Sequence, residues 1–346
     1  MDPGTFTDAR VFAVDLHVPN RQFGFLDVGL EVLERSTFLD NRIDAPLEQA
    51  VFVDLDALPA LPPPGRMGWL LHTSFCCSTV LARALHLGAA QVALREPLVL
   101  RRLADARHAG LPVDAFIEPT LRLLGRPWAP GGLVIVKPTH VALNVAADLI
   151  AASPGRAVLL TSTLDDFLVS NIKKTPETQG RIPELAERAL NATDFGRRLG
   201  PAALAPPDLL AAAALQWAGQ RMLAYGLATR LGPSRLRWLD SDRLLQAPAD
   251  AVAAVAGWLG SDAPEAVTRA HAEREFTHHA KATTRPYGPA QRAAEARAIG
   301  ARYDANLSAA KAWFERHVAP SMPGEALEIP GDWRLGAASH PRSDRD

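Results

Sequence analysis

Cysteine is almost missing from this 346-residue chain: there are two, Cys76 and Cys77, and they are neighbours. Adjacent cysteines bridge only against normal disulfide geometry, and two thiols alone cannot complete a structural zinc site. A disulfide scaffold is thereby excluded, and the usage suits a reducing cytosol, the expected location. An excess of charge is missing too, with 37 basic residues against 38 acidic and a net charge of −1. No bulk field draws the protein to nucleic acid or to a membrane, so any anionic ligand must be held by a local cluster of donors. No run of about 18 apolar residues is present, and no transmembrane helix is expected. The opening MDPGTFTDAR has no basic stretch followed by an apolar core, so no signal peptide is expected. His271, His278 and His279 keep no regular ligand spacing such as HExxH, and no metal is expected.

What is present is an ordinary globular composition, 48% hydrophobic and 22% charged. Residues 1–65 read as a β-rich segment: VFAVDLHV, QFGFLDVGLEVL and AVFVDLDAL alternate in the manner of hairpin strands. They end in the rigid run Leu61-Pro62-Pro63-Pro64-Gly65, a linker into a main domain expected over 66–320. There strands and helices alternate, which predicts an α/β fold with a P-loop NTPase-like parallel sheet flanked by helices and a helical C-terminal third. The five predicted strands are MGWLLH, QVALRE, GGLVIVKP, RAVLLTS and RLRWLDSD. The pattern weakens between 175 and 207, expected to be a loop-rich insertion, and 321–346 reads as a tail whose last dozen residues look disordered.

The sharpest feature is HTSFCCST, His72 to Thr79, between the first of those strands and a helix. A strand turning abruptly into a helix gathers backbone N–H groups at a positive dipole end, which makes an anion site. Small residues at Ser74, Cys76 and Cys77 allow a ligand close to the backbone, and the hydroxyls of Ser78 and Thr79 lie within its reach. Alternatively, Ser78 is a helix N-cap and the cysteines are packing residues. The loop is not a Walker A motif, because the two glycines and the lysine of GxxxxGK[ST] are absent.

Ser78-Thr79 after an apolar strand resembles the 5′-phosphosulfate loop of sulfotransferases, P-loop enzymes that use 3′-phosphoadenosine 5′-phosphosulfate (PAPS). AVLLTSTLDDFLVSNIKK resembles the family's second motif, with Ser170 on the serine that binds the nucleotide 3′-phosphate and Asp166 on the last aspartate. LRWLDSDRLLQAPADAVAAVAGWLG is similar to its late strand and helix. The resemblance spans about Met67 to Gly260. It implies sulfuryl transfer from PAPS to a small-molecule acceptor, and a nucleotide site built from Ser74, Phe75, Cys76, Cys77, Ser78, Thr79, Ser162 and Ser170. Lys281 and Arg285 look like the family's late basic loop.

Two positions depart from the family: its loop cation is Phe75 here, and the arginine of its second motif is Ser162. Since sulfuryl transfer builds negative charge, other cations must compensate if the reaction occurs. Lys137 ends the third predicted strand, Arg95 the second, and Lys173 and Lys174 follow Ser170. The acceptor's proton needs a base. Glu96, matching a glutamate proposed as base in some bacterial carbohydrate sulfotransferases, and His140 are the candidates, with His72 third. Two other readings stay open: a phosphotransferase with Asp240 or Asp242 holding magnesium, and a non-catalytic nucleotide-binding protein.

Overall fold

A computed structural model of the chain describes residues 6–279, 282–286 and 288–335. Five parallel strands form its central sheet: β4 (Met67–His72), β5 (Gln91–Arg95), β6 (Leu133–Lys137), β7 (Ala157–Thr161) and β8 (Leu236–Asp240), ordered β5-β6-β4-β7-β8. Helices link them in the parallel α/β manner expected. Every residue of β4 to β7 is buried, because helices cover both faces. The two faces still alternate. Trp69, Leu71, Val134, Val136 and Leu159 enter one core, whereas Leu70, Ile135, Val158 and Leu160 enter the other.

The N-terminal segment forms a separate antiparallel sheet, β1 (Val11–His17), β2 (Gln22–Asp27) and β3 (Val51–Asp54), in that order. Its apolar face shares the first core with the Leu98–His108 and Asp114–Leu124 helices. Only part of the QFGFLDVGLEVL run is strand. Gly29 breaks the pairing and Leu30–Arg35 turns helical, with Glu31 in its first turn and Arg35 in its last, as the dipole favours.

Two expectations need correction. The 175–207 stretch is largely helical, with Pro176–Gly180, Ile182–Asn191 and Phe195–Arg198. Pro183 sits in the first turn of the longest, where proline is tolerated. Ile182, Ala186, Ala189 and Leu190 bury one of its faces. Nor is 321–335 a loose tail. Leu335 N–H donates to Trp238 O at 2.8 Å, and Arg221 donates to the carbonyls of Ala326 (2.6 Å) and Leu327 (3.2 Å). This strap covers the outer edge of β8, which would otherwise present unpaired groups.

Candidate functional site

Three of the four non-glycine residues with positive φ among those described lie in one place: Phe75 (61°), Cys77 (70°) and Glu96 (59°). Such conformations are costly for residues with a Cβ and gather where function requires a particular backbone path. Phe75 and Cys77 bend the 73–77 loop back over the end of β4 and into the Ser78–Ala84 helix. Cys77 is the helix N-cap and makes no side-chain cap bond, so Ser78 is the first helical residue and not the cap. The first-turn N–H groups of Ser78, Thr79 and Val80 consequently have no partner within the helix. The loop is clamped from behind. Gln220, on the long Leu209–Leu231 helix, accepts from Ser74 N–H at 2.9 Å and donates to Ser74 Oγ at 3.0 Å. Cys76 Sγ donates to Thr73 O at 3.0 Å.

The setting disfavours a thiolate at either cysteine. Burial, reinforced by the neighbouring Cys77, pushes the Cys76 thiol up to about 12, and burial raises Cys77 as well.

The loop forms the floor of a cavity of about 720 Å³ at the carboxyl ends of the strands, where ligands of open α/β sheets bind. Arg42, Arg101, Lys173, Lys174, Arg181 and Arg292 line it against Asp40, Glu96, Glu177 and Glu295. The cavity is thus locally cationic in a chain of net charge −1. A second cavity, about 780 Å³, lies beyond the Ile182–Asn191 helix among Leu190, Leu204, Leu209 and Leu215. It touches neither the loop nor any strand end.

Strand order divides the first cavity into two halves. On the β5–β6 side, Lys137 has no exposed side-chain surface and donates to Glu96 Oε1 at 2.5 Å. Burial alone would raise the Glu96 carboxyl, but the Lys137 ammonium, with help from His72 and His140, lowers it to about 2. The ring nitrogens of His72 lie 2.9 Å (Nδ1) and 3.0 Å (Nε2) from the carbonyl oxygens of Thr73 and Pro138, to one of which the neutral ring donates. Burial and Lys137 bring it down to about 3, so it is neutral at pH 7. His140 is likewise neutral, lowered to about 4 chiefly by burial, and its Nε2 has no hydrogen-bond partner.

On the β7 side, Ser170 lines the cavity, Lys173 pairs with Glu295 at 2.8 Å, and the Lys174 ammonium lies 4.8 Å from the centre of the Phe75 ring. A cation from the bend after the Leu164–Ile172 helix thus stands beside the loop. Phe75 itself packs on Phe167, ring centres 5.3 Å apart.

Ser74, Phe75, Cys76, Cys77, Ser78, Thr79, Glu96, His140 and Ser170 therefore meet in one cavity, with Lys137 directly beneath. Ser162 stands apart: it is buried, does not line the cavity, and its Oγ has no partner. Lys281 lies outside the described residues, as does the side chain of Arg285. Arg95 is no site cation. Its guanidinium turns inward to the carbonyls of Leu33 and Ser36, and burial lowers it to about 10. Asp240 and Asp242 also stay out of the cavity, and Asp242 is raised to about 6 by burial and by the neighbouring Asp166 carboxyl. No group of three or more His, Cys, Asp or Glu placed to hold a metal occurs among the described residues. No described helix is long and apolar enough to cross a membrane.

The sequence reading missed Gln220 and the trio Phe38, Asp40 and Arg42. Gln220 had a signal, since Gln216 and Gln220 stand one turn apart in the largely apolar first half of the Leu209–Leu231 helix. The trio had none, because it lies in an aperiodic turn.

No protein-family model matches the sequence, and no curated protein does. Among solved structures, the chain is similar to a sulfotransferase domain from the curacin biosynthetic pathway (13% identity over 70% of this chain and 98% of the other, TM-score 0.39). It is also similar to a sulfotransferase from Alicyclobacillus acidocaldarius (10% identity, 75% and 99% covered, TM-score 0.37). What the site can do rests on its own residues.

Proposed function

We propose that this chain is a sulfotransferase-like enzyme that moves a sulfuryl group from PAPS to the hydroxyl or amine of a small acceptor. The observation that supports it most is the single cationic cavity in which the strained 73–77 loop, Ser170 with its lysines, and the buried Glu96–Lys137 pair meet. In this reading the first-turn N–H groups and the Ser78 and Thr79 hydroxyls hold the donor's 5′-phosphate. Ser170 and Lys173 receive the 3′-phosphate, and Lys174 supplies charge near Phe75.

The acceptor oxygen or nitrogen would attack sulfur as the bond to the 5′-phosphate oxygen breaks, releasing 3′-phosphoadenosine 5′-phosphate and passing the acceptor's proton to a base. A base works best with a pKa near the working pH. Glu96, at about 2 and already bonded to Lys137, suits that role less than His140, which is neutral and unpaired. Glu96 instead accepts a hydrogen bond from the acceptor. His140→Ala should then lower kcat about 10²-fold or more.

The direct check is thermal stabilisation by 3′-phosphoadenosine 5′-phosphate, with magnesium ATP and AMP as controls. At about 100 times its Kd the bisphosphate adds roughly 2.7 kcal/mol. No shift with the bisphosphate, or a shift with magnesium ATP alone, would sink this reading.

A further inference from the structure

The acceptor half of the cavity contains a cation that neither the loop nor the strands supply. Arg42 comes from the 36–44 turn of the N-terminal segment; three contacts fix that turn at the end of β5 and a fourth closes it on itself. Leu39 N–H donates to Arg95 O at 2.7 Å, and Leu98 N–H donates to Leu39 O at 3.0 Å. The buried Arg95 guanidinium donates to Ser36 O at 2.7 Å, and Asp44 N–H donates to Ser36 Oγ at 3.0 Å.

Arg42 is locked within this turn. Its Nε donates to Asp40 Oδ1 at 2.8 Å and its Nη2 to Asp40 Oδ2, while its guanidinium carbon lies 4.0 Å from the centre of the Phe38 ring. Lys137 Nζ lies 5.8 Å from the same ring centre. A surface arginine left to solvent would sample many rotamers, whereas this one is held by a two-point carboxylate contact and an aromatic plate. Even so, 58% of its side chain is exposed, and it faces the cavity. Nη2 stands 3.9 Å from Glu96 Oε2, the carboxylate oxygen not taken by Lys137. That gap is too long for a hydrogen bond. A donor and an acceptor, both oriented, thus face the same space.

Where that space lies follows from the sheet. The loop closes β4, and Arg42 sits over β5, two strands away or about 10 Å. Ser170 and Lys173 stand on the opposite side, after β7. A ligand anchored by phosphates at the loop and the β7 side therefore presents its reacting end toward Arg42.

We propose that Arg42 contacts the transferring sulfuryl group and, with Glu96 Oε2, frames the position of the acceptor's nucleophilic atom. The N-terminal segment would then be part of the active site and not an appendage to it. The proposal rests on the sulfotransferase reading, so its test separates the two. Dissociation constants for PAPS and for 3′-phosphoadenosine 5′-phosphate, which lacks the sulfuryl group, are measured for the wild type, Arg42→Ala and Arg42→Lys.

Arg42→Ala should weaken PAPS by about tenfold or more and change the bisphosphate less than twofold, since one charge-assisted contact is lost. Arg42→Lys should recover part of the PAPS affinity, because the charge remains while the fork geometry does not. Equal weakening of both ligands would make Arg42 a structural or nucleotide-binding residue, and no change in either would make it a rim charge; each result overturns the proposal. A wild type that binds neither ligand overturns the sulfotransferase reading and this inference with it. Melting curves of both variants establish that the comparison is made on folded protein.

Discussion

Lys137 is fully enclosed, and an ammonium in that position persists only with a partner, which Glu96 provides at 2.5 Å. Removing one member of such a pair leaves the other charge buried, and the penalty is typically about 3–5 kcal/mol. Glu96→Gln should therefore unfold at much lower denaturant, and Glu96→Gln with Lys137→Met should recover most of the loss. A double-mutant cycle in urea measures this, and purely additive single losses would show that the pair is not coupled. The pH dependence has a definite sign. The carboxyl is held near 2 when folded, below its ordinary 4.5, so its contribution is complete above about 4.5 and is lost as pH falls toward 2. Stability of the Glu96→Gln variant should fall less steeply across that window. Both residues were legible in the sequence because they end predicted parallel strands, where side chains meet ligands. Their pairing was not, since strands adjacent in the sheet are far apart in the chain. Arg42 was illegible for a stronger reason: its place depends on Arg95 binding carbonyls of the 33–36 stretch, which leaves no periodic trace.

The strand–loop–helix unit holds its shape through a contact from another element. Gln220 satisfies both the N–H and the hydroxyl of Ser74, all of them buried. Gln220→Leu keeps the bulk but strands two polar groups, at about 1–3 kcal/mol each. The expected result is a lower unfolding midpoint together with weaker stabilisation by 3′-phosphoadenosine 5′-phosphate, because the 73–77 backbone loses its support. An unchanged response to that ligand at a lowered midpoint would mean that Phe75 and Cys77 keep their conformations without the clamp. At this scale the sequence was most readable where burial was uniform. The apolar runs of β4 to β7 and the helices that link them follow directly from composition and period. Short or proline-bearing helices were misread. Leu30–Arg35 is too brief for its period to separate from strand alternation, and Pro183 in Ile182–Asn191 looked like a breaker although it occupies a first turn.

The molecule as a whole binds its N-terminal sheet by more than a linker. Phe23 meets Phe116 with ring centres 6.1 Å apart, and both belong to the core that also holds Trp69, Leu71 and Val136 of the central sheet. Arg126, almost fully buried and lowered to about 10 by that burial, donates to the carbonyls of Phe6 (2.7 Å), Asp8 (2.8 Å) and Val11 (2.7 Å). Arg95 depends in the same way on the carbonyls of Leu33 and Ser36. A chain beginning at Arg66 would leave two guanidinium groups without these acceptors and would expose the apolar face of the Leu98–His108 helix. Unsatisfied buried charge and a newly exposed apolar face are each sufficient to lose a marginally stable fold. The full chain should therefore melt in one transition by both near- and far-ultraviolet circular dichroism. The 66–346 chain should lack a cooperative transition and should aggregate. A soluble 66–346 chain that melts cooperatively would make the first 65 residues a separable domain, and Arg42 would then reach the cavity from a neighbouring body instead of from within one core.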